Sequence, residues 1–180
     1  MQPTQPAITH ETGNFNSFPH LDATMKGFAT DSAVKPWWLI ETIAQLKANG
    51  LYEDSALWAD RSDNLYMLSW KMLTEAMRKS TYISGYEWWL LQEYFGVGDG
   101  ILDVNFQPKV PEAQLQAYTD MNAPVVLLLA QPEDDLPIAD ELPRFQTYGY
   151  TSNETLNTSV HVSNYGIAAL QGVKLSWQVV

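Results

Sequence analysis

The sequence contains no cysteine among its 180 residues. Disulfide frameworks, thiolate-bound zinc, iron–sulfur clusters and cysteine nucleophiles are therefore excluded. Only three histidines are present, and no two of them have helical metal-ligand spacing, so no metal site is expected. The glycine-rich residues 92–100 lack the Lys-Ser/Thr pair of a phosphate-binding loop. The sequence therefore gives no reason to expect a cofactor.

Basic residues are also scarce. Ten Lys and Arg stand against 21 Asp and Glu, which gives a formal net charge of -11. A field of this sign repels nucleic-acid phosphates and anionic lipids, so neither nucleic acid nor a membrane is expected as a partner. The longest purely apolar run, residues 124–130, is too short to span a bilayer. The first residues carry neither a basic region nor an apolar stretch, and no signal peptide is predicted.

Apolar residues, by contrast, make up 46% of the chain and aromatic residues 12%, which is enough for a hydrophobic core. Apolar residues at helical spacing predict helices over residues 36–49, 53–79 and 111–121. A short strand is predicted over residues 5–10. The aromatic run 82–91 has no polar alternation, which is typical of a strand buried on both faces in a parallel sheet.

The C-terminal part of the sequence has a different character. Residues 124–129 form another β-like run, and the acidic, proline-bearing residues 131–148 are interpreted as a linker. Beyond this linker the apolar period changes to two, which predicts alternating strands around Leu156 and residues 159–162 and over residues 173–179. A sandwich of the immunoglobulin type needs about seven strands, so these segments are interpreted as the start of one.

Several strings resemble the catalytic barrel of glycoside hydrolase family 2, which includes β-galactosidases, β-mannosidases and β-glucuronidases. His10-Glu11-Thr12-Gly13 is similar to the segment in which a barrel strand delivers a glutamate nucleophile. Residues 84–94 resemble the strand that closes the barrel, and Gly-Ile-Leu-Asp at residues 100–103 follows it as in many members. Residues 122–129 resemble the exit from the barrel, and residues 163–177 look like the first strands of the following immunoglobulin-like domain.

The resemblance implies an α/β fold, a partial (β/α)8 TIM barrel followed by an incomplete immunoglobulin-like β-sandwich. Residues 1–130 are expected to be the C-terminal portion of the barrel, residues 131–148 the linker, and residues 149–180 the first sandwich strands. A closed barrel needs about 250 residues, so the chain is predicted to be a fragment of a longer parent. In the family the acid/base is carried by an asparagine-glutamate pair upstream of the nucleophile, and no such pair precedes Glu11 in this sequence.

The resemblance also makes Glu11 the catalytic nucleophile, at the strand end where barrel enzymes place their catalytic groups. His10 is expected to bond a sugar hydroxyl or to orient Glu11. Trp88 is expected to stack on the apolar face of a sugar, and Gln92 and Glu93 to bond its hydroxyls. Each residue has a structural alternative: a solvated loop acid for Glu11, a satisfied structural histidine for His10, core packing for Trp88, and loop roles for Gln92 and Glu93.

The implied activity is hydrolysis of a β-glycosidic bond with retention, on galactoside-type substrates, by the parent. Its expected partners are the carbohydrate substrate and the remainder of the parent polypeptide. The isolated chain is expected to be inactive, because retention needs two carboxyl groups about 5–5.5 Å apart and only one is assigned. The alternative is a non-catalytic carbohydrate-binding module or a degenerate barrel fragment. The enzymatic interpretation predicts Glu11 and Trp88 at one pocket mouth. The compartment stays open, although family members that process polysaccharides are often exported.

Overall fold

The computed structural model describes residues 5–28, 33–130 and 151–178. The chain divides into two compact units, Met1–Asn122 and Ala123–Val180. The division falls earlier in the sequence than the expected boundary at residue 130, because the strand before that boundary pairs within the second unit. The predicted linker at residues 131–148 lies outside the described residues. None of the helices in the described ranges has the length and apolar character that a bilayer span requires.

Three helices of the first unit lie where they were predicted, within residues 36–49, 53–79 and 111–121, and their ends follow from local chemistry. Pro36 and Pro111 each immediately precede a helix, where a missing amide hydrogen costs nothing. The long helix ends at Arg78 and Lys79, which complement the helix dipole. In chain order the elements are β1 Ala7–Thr12, α1 Leu21–Gly27, α2 Trp37–Ala48, a 3-10 turn Tyr52–Asp54, α3 Ser55–Lys79, β2 Ile83–Trp88 and α4 Glu112–Met121.

Strands β1 and β2 pair in parallel, as the aromatic run predicted. The register runs from Ala7 opposite Ile83 to Thr12 opposite Trp88. One face of the pair packs on α3. The opposite face is open, and Ile8 on it is 70% exposed. Glu87 of β2 is exposed as well, so the expectation that the aromatic run forms a strand buried on both faces is wrong. Burial on the second face needs another layer of structure, and the described residues place none there.

Helix α3 supplies the centre of the first unit. Trp70 and Thr74 on this helix are fully buried, as is Leu39 on α2. The Trp70 ring contacts three other aromatic rings, with centroid distances of 5.5 Å to Tyr66, 3.8 Å to Trp88 and 5.5 Å to Tyr118. Strand β2 and helix α4 are therefore organised around one indole of α3.

In the described part of the second unit there are two antiparallel strands, β3 Val125–Ala130 and β4 Ser159–Asn164. They pair from Val125 opposite Asn164 to Ala130 opposite Ser159. The β-like runs at residues 124–129 and 159–162 are confirmed. The strand predicted at residues 173–179 is wrong over residues 173–178, which have no regular structure, and Val179 lies outside the described residues. Alternating apolar residues form a strand only beside a neighbour that takes their backbone hydrogen bonds, and none of the described residues does so here.

Candidate functional site at the carboxyl end of the parallel strands

Because β1 and β2 are parallel, both deliver their last residues to the same edge of the sheet. The loops that follow the two strands are joined there by hydrogen bonds. The Ser17 amide donates to the Gly98 carbonyl at 2.8 Å, and the Gly98 amide donates to Asn16 Oδ1 at 2.9 Å. This edge therefore carries an ordered surface made by two loops that are distant in sequence.

Glu11 has an unusual backbone conformation at this edge. Its φ angle is +51°, in the left-handed region that residues other than glycine seldom adopt. The strand register is also irregular between Thr9 and Thr12, as in a β-bulge that re-aims a side chain. The Glu11 carboxyl group is half-exposed. Backbone outliers of this kind cost about 1–3 kcal/mol and are enriched at functional sites. Among the described residues, the other non-glycine residue with a positive φ is Phe106, at +60°.

His10 lies between two carboxylates. Its Nδ1 is 3.8 Å from Glu11 Oε1, and its Nε2 is 3.5 Å from Glu87 Oε2 on the neighbouring strand. Both distances exceed direct hydrogen bonding, so the contacts are electrostatic. The sequence analysis missed Glu87. The available signal was strand alternation, since Glu87 and Trp88 must point to opposite faces of β2.

Trp88 packs on the α3 side of the sheet. Its ring centroid is 3.8 Å from that of Trp70, with the planes tilted by 34°. A Cβ atom on Gly13 would lie 2.3 Å from the Trp88 ring, so this ring and the turn after β1 are in close contact. The contacts of Trp88 are those of its structural alternative, core packing. They do not include Glu11.

Glu93 forms a buried ion pair with Lys109. The Lys109 ammonium also donates to the Gly98 carbonyl at 2.8 Å and lies 4.5 Å from the centre of the Tyr66 ring. Burial raises the pKa of the Glu93 carboxyl group, and the Lys109 charge opposes that rise. Burial also raises the pKa of the Tyr66 hydroxyl, which donates to the Asp99 carbonyl at 2.7 Å. These contacts match the structural alternative for Glu93, an acid that holds a loop together.

Gln92 lines an open cleft of about 370 Å³ in the first unit. Its Nε2 donates to the Val104 carbonyl at 3.0 Å. We call this feature the aromatic cleft; it is lined by Phe28, Val34, Lys35, Pro36, Trp37, Trp38, Gln92, Glu93, Tyr94, Phe95 and Val104. The sequence analysis missed it, because its aromatic side chains come from segments far apart in the chain. The available signal was two pairs of adjacent aromatic residues, Trp37-Trp38 and Tyr94-Phe95.

The structure thus brings His10 and Glu11 together with Glu87 and places Gln92 and Glu93 in the lining of the aromatic cleft. Trp88 packs in the core, and Glu93 is held in its ion pair with Lys109. Within the described ranges, no group of three His, Asp or Glu side chains has an arrangement that could hold a metal ion. No family model matches the sequence, and no curated protein matches it either.

Proposed function

We propose that this chain is part of a retaining β-glycosidase similar to glycoside hydrolase family 2, with Glu11 as its nucleophile. One observation carries the proposal: a half-exposed carboxylate, with a left-handed backbone, ends a strand of a parallel pair. Catalytic residues of (β/α)8 enzymes occupy that end of the strands. The string His10-Glu11-Thr12-Gly13 resembles the family's nucleophile segment and supports the same assignment.

The open face of the β1–β2 pair supports a partial barrel as the fold. In a closed barrel, helices cover the outer face of each strand and the inner face is covered by the other strands. Here α3 covers one face, whereas Ile8 and His10 on the other face are exposed. The remaining strands would come from the parent polypeptide. The second unit, with its two antiparallel strands, would be the start of an immunoglobulin-like domain.

In the proposed reaction the Glu11 carboxylate attacks the anomeric carbon of a β-galactoside-type substrate, and the bond to the leaving oxygen breaks as a glycosyl ester forms. A second carboxylic acid, supplied by the parent, protonates that oxygen. The carboxylate that this acid leaves behind then takes a proton from the water that hydrolyses the ester. Two successive displacements at the anomeric carbon retain its configuration. His10, held between Glu11 and Glu87, would orient the nucleophile. Without the second acid, the isolated chain is inactive.

The test is covalent labelling of the parent enzyme with a 2-deoxy-2-fluoro-β-galactosyl fluoride, followed by peptide mass spectrometry. We expect the label on Glu11. We also expect Glu11→Ala to lose hydrolysis by several orders of magnitude and to form an α-galactosyl azide when azide replaces the missing carboxylate. Glu112→Ala is the matched control, because it makes the same substitution at an exposed acid in the first turn of α4, and it should retain labelling.

Labelling of another residue, or full activity of Glu11→Ala, would refute the assignment. Turnover of an aryl β-galactoside by the purified 180-residue chain would refute the need for a second acid from the parent. Sugar binding by the parent without any labelling would support the non-catalytic alternative instead.

A further inference from the structure

We propose that the aromatic cleft is a second sugar-binding site, for a pyranose that carries an anionic substituent such as a carboxylate or a sulfate. Glu11 is not among the residues that line this cleft. The inference therefore does not depend on the assignment of the nucleophile. It rests on three features of the cleft: two exposed aromatic rings, a fixed amide and one lysine, Lys35, that has no carboxylate partner among the described residues.

The aromatic rings are Trp37 and Phe95, which are 62% and 60% exposed although each is large and apolar. Their centroids are 6.2 Å apart and their planes are inclined by 57°, so they form an angled platform. Local structure fixes the backbone of each residue. Trp37 is the first residue of α2. Phe95 lies in a turn in which the Val97 amide donates to the Tyr94 carbonyl at 3.0 Å. Adjacent exposed aromatic rings are typical of ligand sites, and the C–H face of a galactose-type pyranose fits such a platform.

Gln92 provides the polar contact. One hydrogen of its amide is used by the Val104 carbonyl, which fixes the orientation of the group. An amide side chain offers two donors and an acceptor oxygen, so this bond leaves further capacity for sugar hydroxyls. A few oriented polar groups beside aromatic walls are the usual composition of a small-molecule site.

The charge of the cleft lining selects the class of sugar. Among the described residues that line it, the one acid is Glu93, which is paired with Lys109, and the one base is Lys35, for which the described part of the chain shows no carboxylate partner. Lys35 therefore gives the cleft a cation in a chain whose net charge is -11. Such a local field favours an anionic substituent over a neutral hydroxyl.

The test compares methyl β-galacturonide and methyl β-galactoside 6-sulfate with neutral methyl β-galactoside, by NMR titration of the full chain. We expect at least one anionic sugar to bind about threefold more tightly than the neutral one at low salt, with the difference shrinking as salt rises. Comparison of the two anionic sugars shows whether carboxylate or sulfate is preferred. Equal affinity for all three sugars overturns the proposal.

Variants separate the contributions of ring and charge. Trp37→Ala and Phe95→Ala should each lower affinity about fivefold for all three sugars. Lys35→Met keeps the aliphatic stem, so it should remove only the preference for an anion. Trp177→Ala removes an exposed indole from the second unit and should change nothing. The two ring variants should leave covalent labelling of Glu11 in the parent enzyme unchanged, so failure of this proposal and failure of the nucleophile assignment are distinguishable. Unchanged affinity in both ring variants overturns the proposal, and circular dichroism checks that they fold.

Discussion

Replacing Lys109 by methionine removes the cation that faces the buried Glu93 carboxylate and keeps most of the lysine stem. The two side chains are only 5% and 8% exposed, so water cannot replace the lost partner. The methionine also loses the hydrogen bond to the Gly98 carbonyl and the contact of the ammonium with the Tyr66 ring. We therefore expect Lys109→Met to lower the free energy of unfolding far more than the loss of a surface ion pair would.

The expected size follows from burial. Removing one partner of a buried ion pair costs about 3–5 kcal/mol, because the other charge is left uncompensated. Lys71→Met is the matched control. It breaks an exposed pair with Glu75 one helical turn away on α3, and the Lys71 side chain is 55% exposed. Pairs of that kind contribute about 0.3–0.5 kcal/mol. The two variants should therefore differ by at least about 2.5 kcal/mol in unfolding free energy.

The pH dependence supplies a second check. Burial raises the pKa of the folded Glu93 carboxyl group above its ordinary 4.5, and loss of Lys109 raises that pKa further. A carboxyl group whose folded pKa is raised contributes stability that is fully present below its unfolded pKa and is lost as pH rises through the folded pKa. The deficit of Lys109→Met should therefore shrink on acidification from pH 7 towards about 4.5.

Urea unfolding at pH 7 and pH 5, followed by tryptophan fluorescence, measures both quantities for the native chain and the two variants. Equal unfolding free energies for Lys109→Met and Lys71→Met at pH 7 would refute the reasoning. A deficit that grows on acidification would refute the assignment of the lost stability to a buried, ionised Glu93.

Three further changes test the packing of the first unit, each measured by the same urea unfolding. Trp70→Ala removes the fully buried indole around which the unit is organised and should cost about 3–5 kcal/mol; a loss below 1 kcal/mol would contradict that role. Gly13→Ala adds a Cβ atom 2.3 Å from the Trp88 ring at a φ of +84°, so it should cost more than Gly50→Ala, where φ is +68° but the space is open. Equal losses would show that Trp88 can move away. Tyr66→Phe removes the 2.7 Å donor of the Asp99 carbonyl, which still accepts from the Leu90 amide at 3.4 Å, and should cost about 0.5–1.5 kcal/mol; no loss would mean that water replaces the hydroxyl.

Local chemistry explains why the helices could be predicted from the sequence. Apolar spacing marked α3, and a proline just before the first turn marked α2 and α4. The parallel pairing of β2 could also be predicted from the sequence, because its aromatic run lacks polar alternation. Burial of its second face and the strand at residues 173–178 could not be predicted correctly. Both depend on neighbours that a single segment of sequence does not specify.

Only part of the candidate site could be predicted from the sequence, because the rest depends on neighbours that come together only in the fold. His10 and Glu11 are adjacent in the chain and follow an apolar strand, so a short string was enough to single them out. Glu87 joins them through the register of two strands that are far apart in sequence. The partner of Glu93 follows a long loop, and Trp37 meets Phe95 only after folding. Sequence reasoning identified side chains with suitable chemistry but could not assign their tertiary contacts.

The pairing of Ala7 with Ile83 has a consequence for the order of folding. Helices α1, α2 and α3 all lie within the loop that this ladder closes. Closing a long loop costs chain entropy before any contact compensates for it, so non-local pairing forms late. We expect the helical interval to fold first, with β1 remaining unpaired until β2 has been synthesised. The left-handed backbone of Glu11 lies in the irregular part of that ladder, so the candidate nucleophile reaches its final geometry among the last steps.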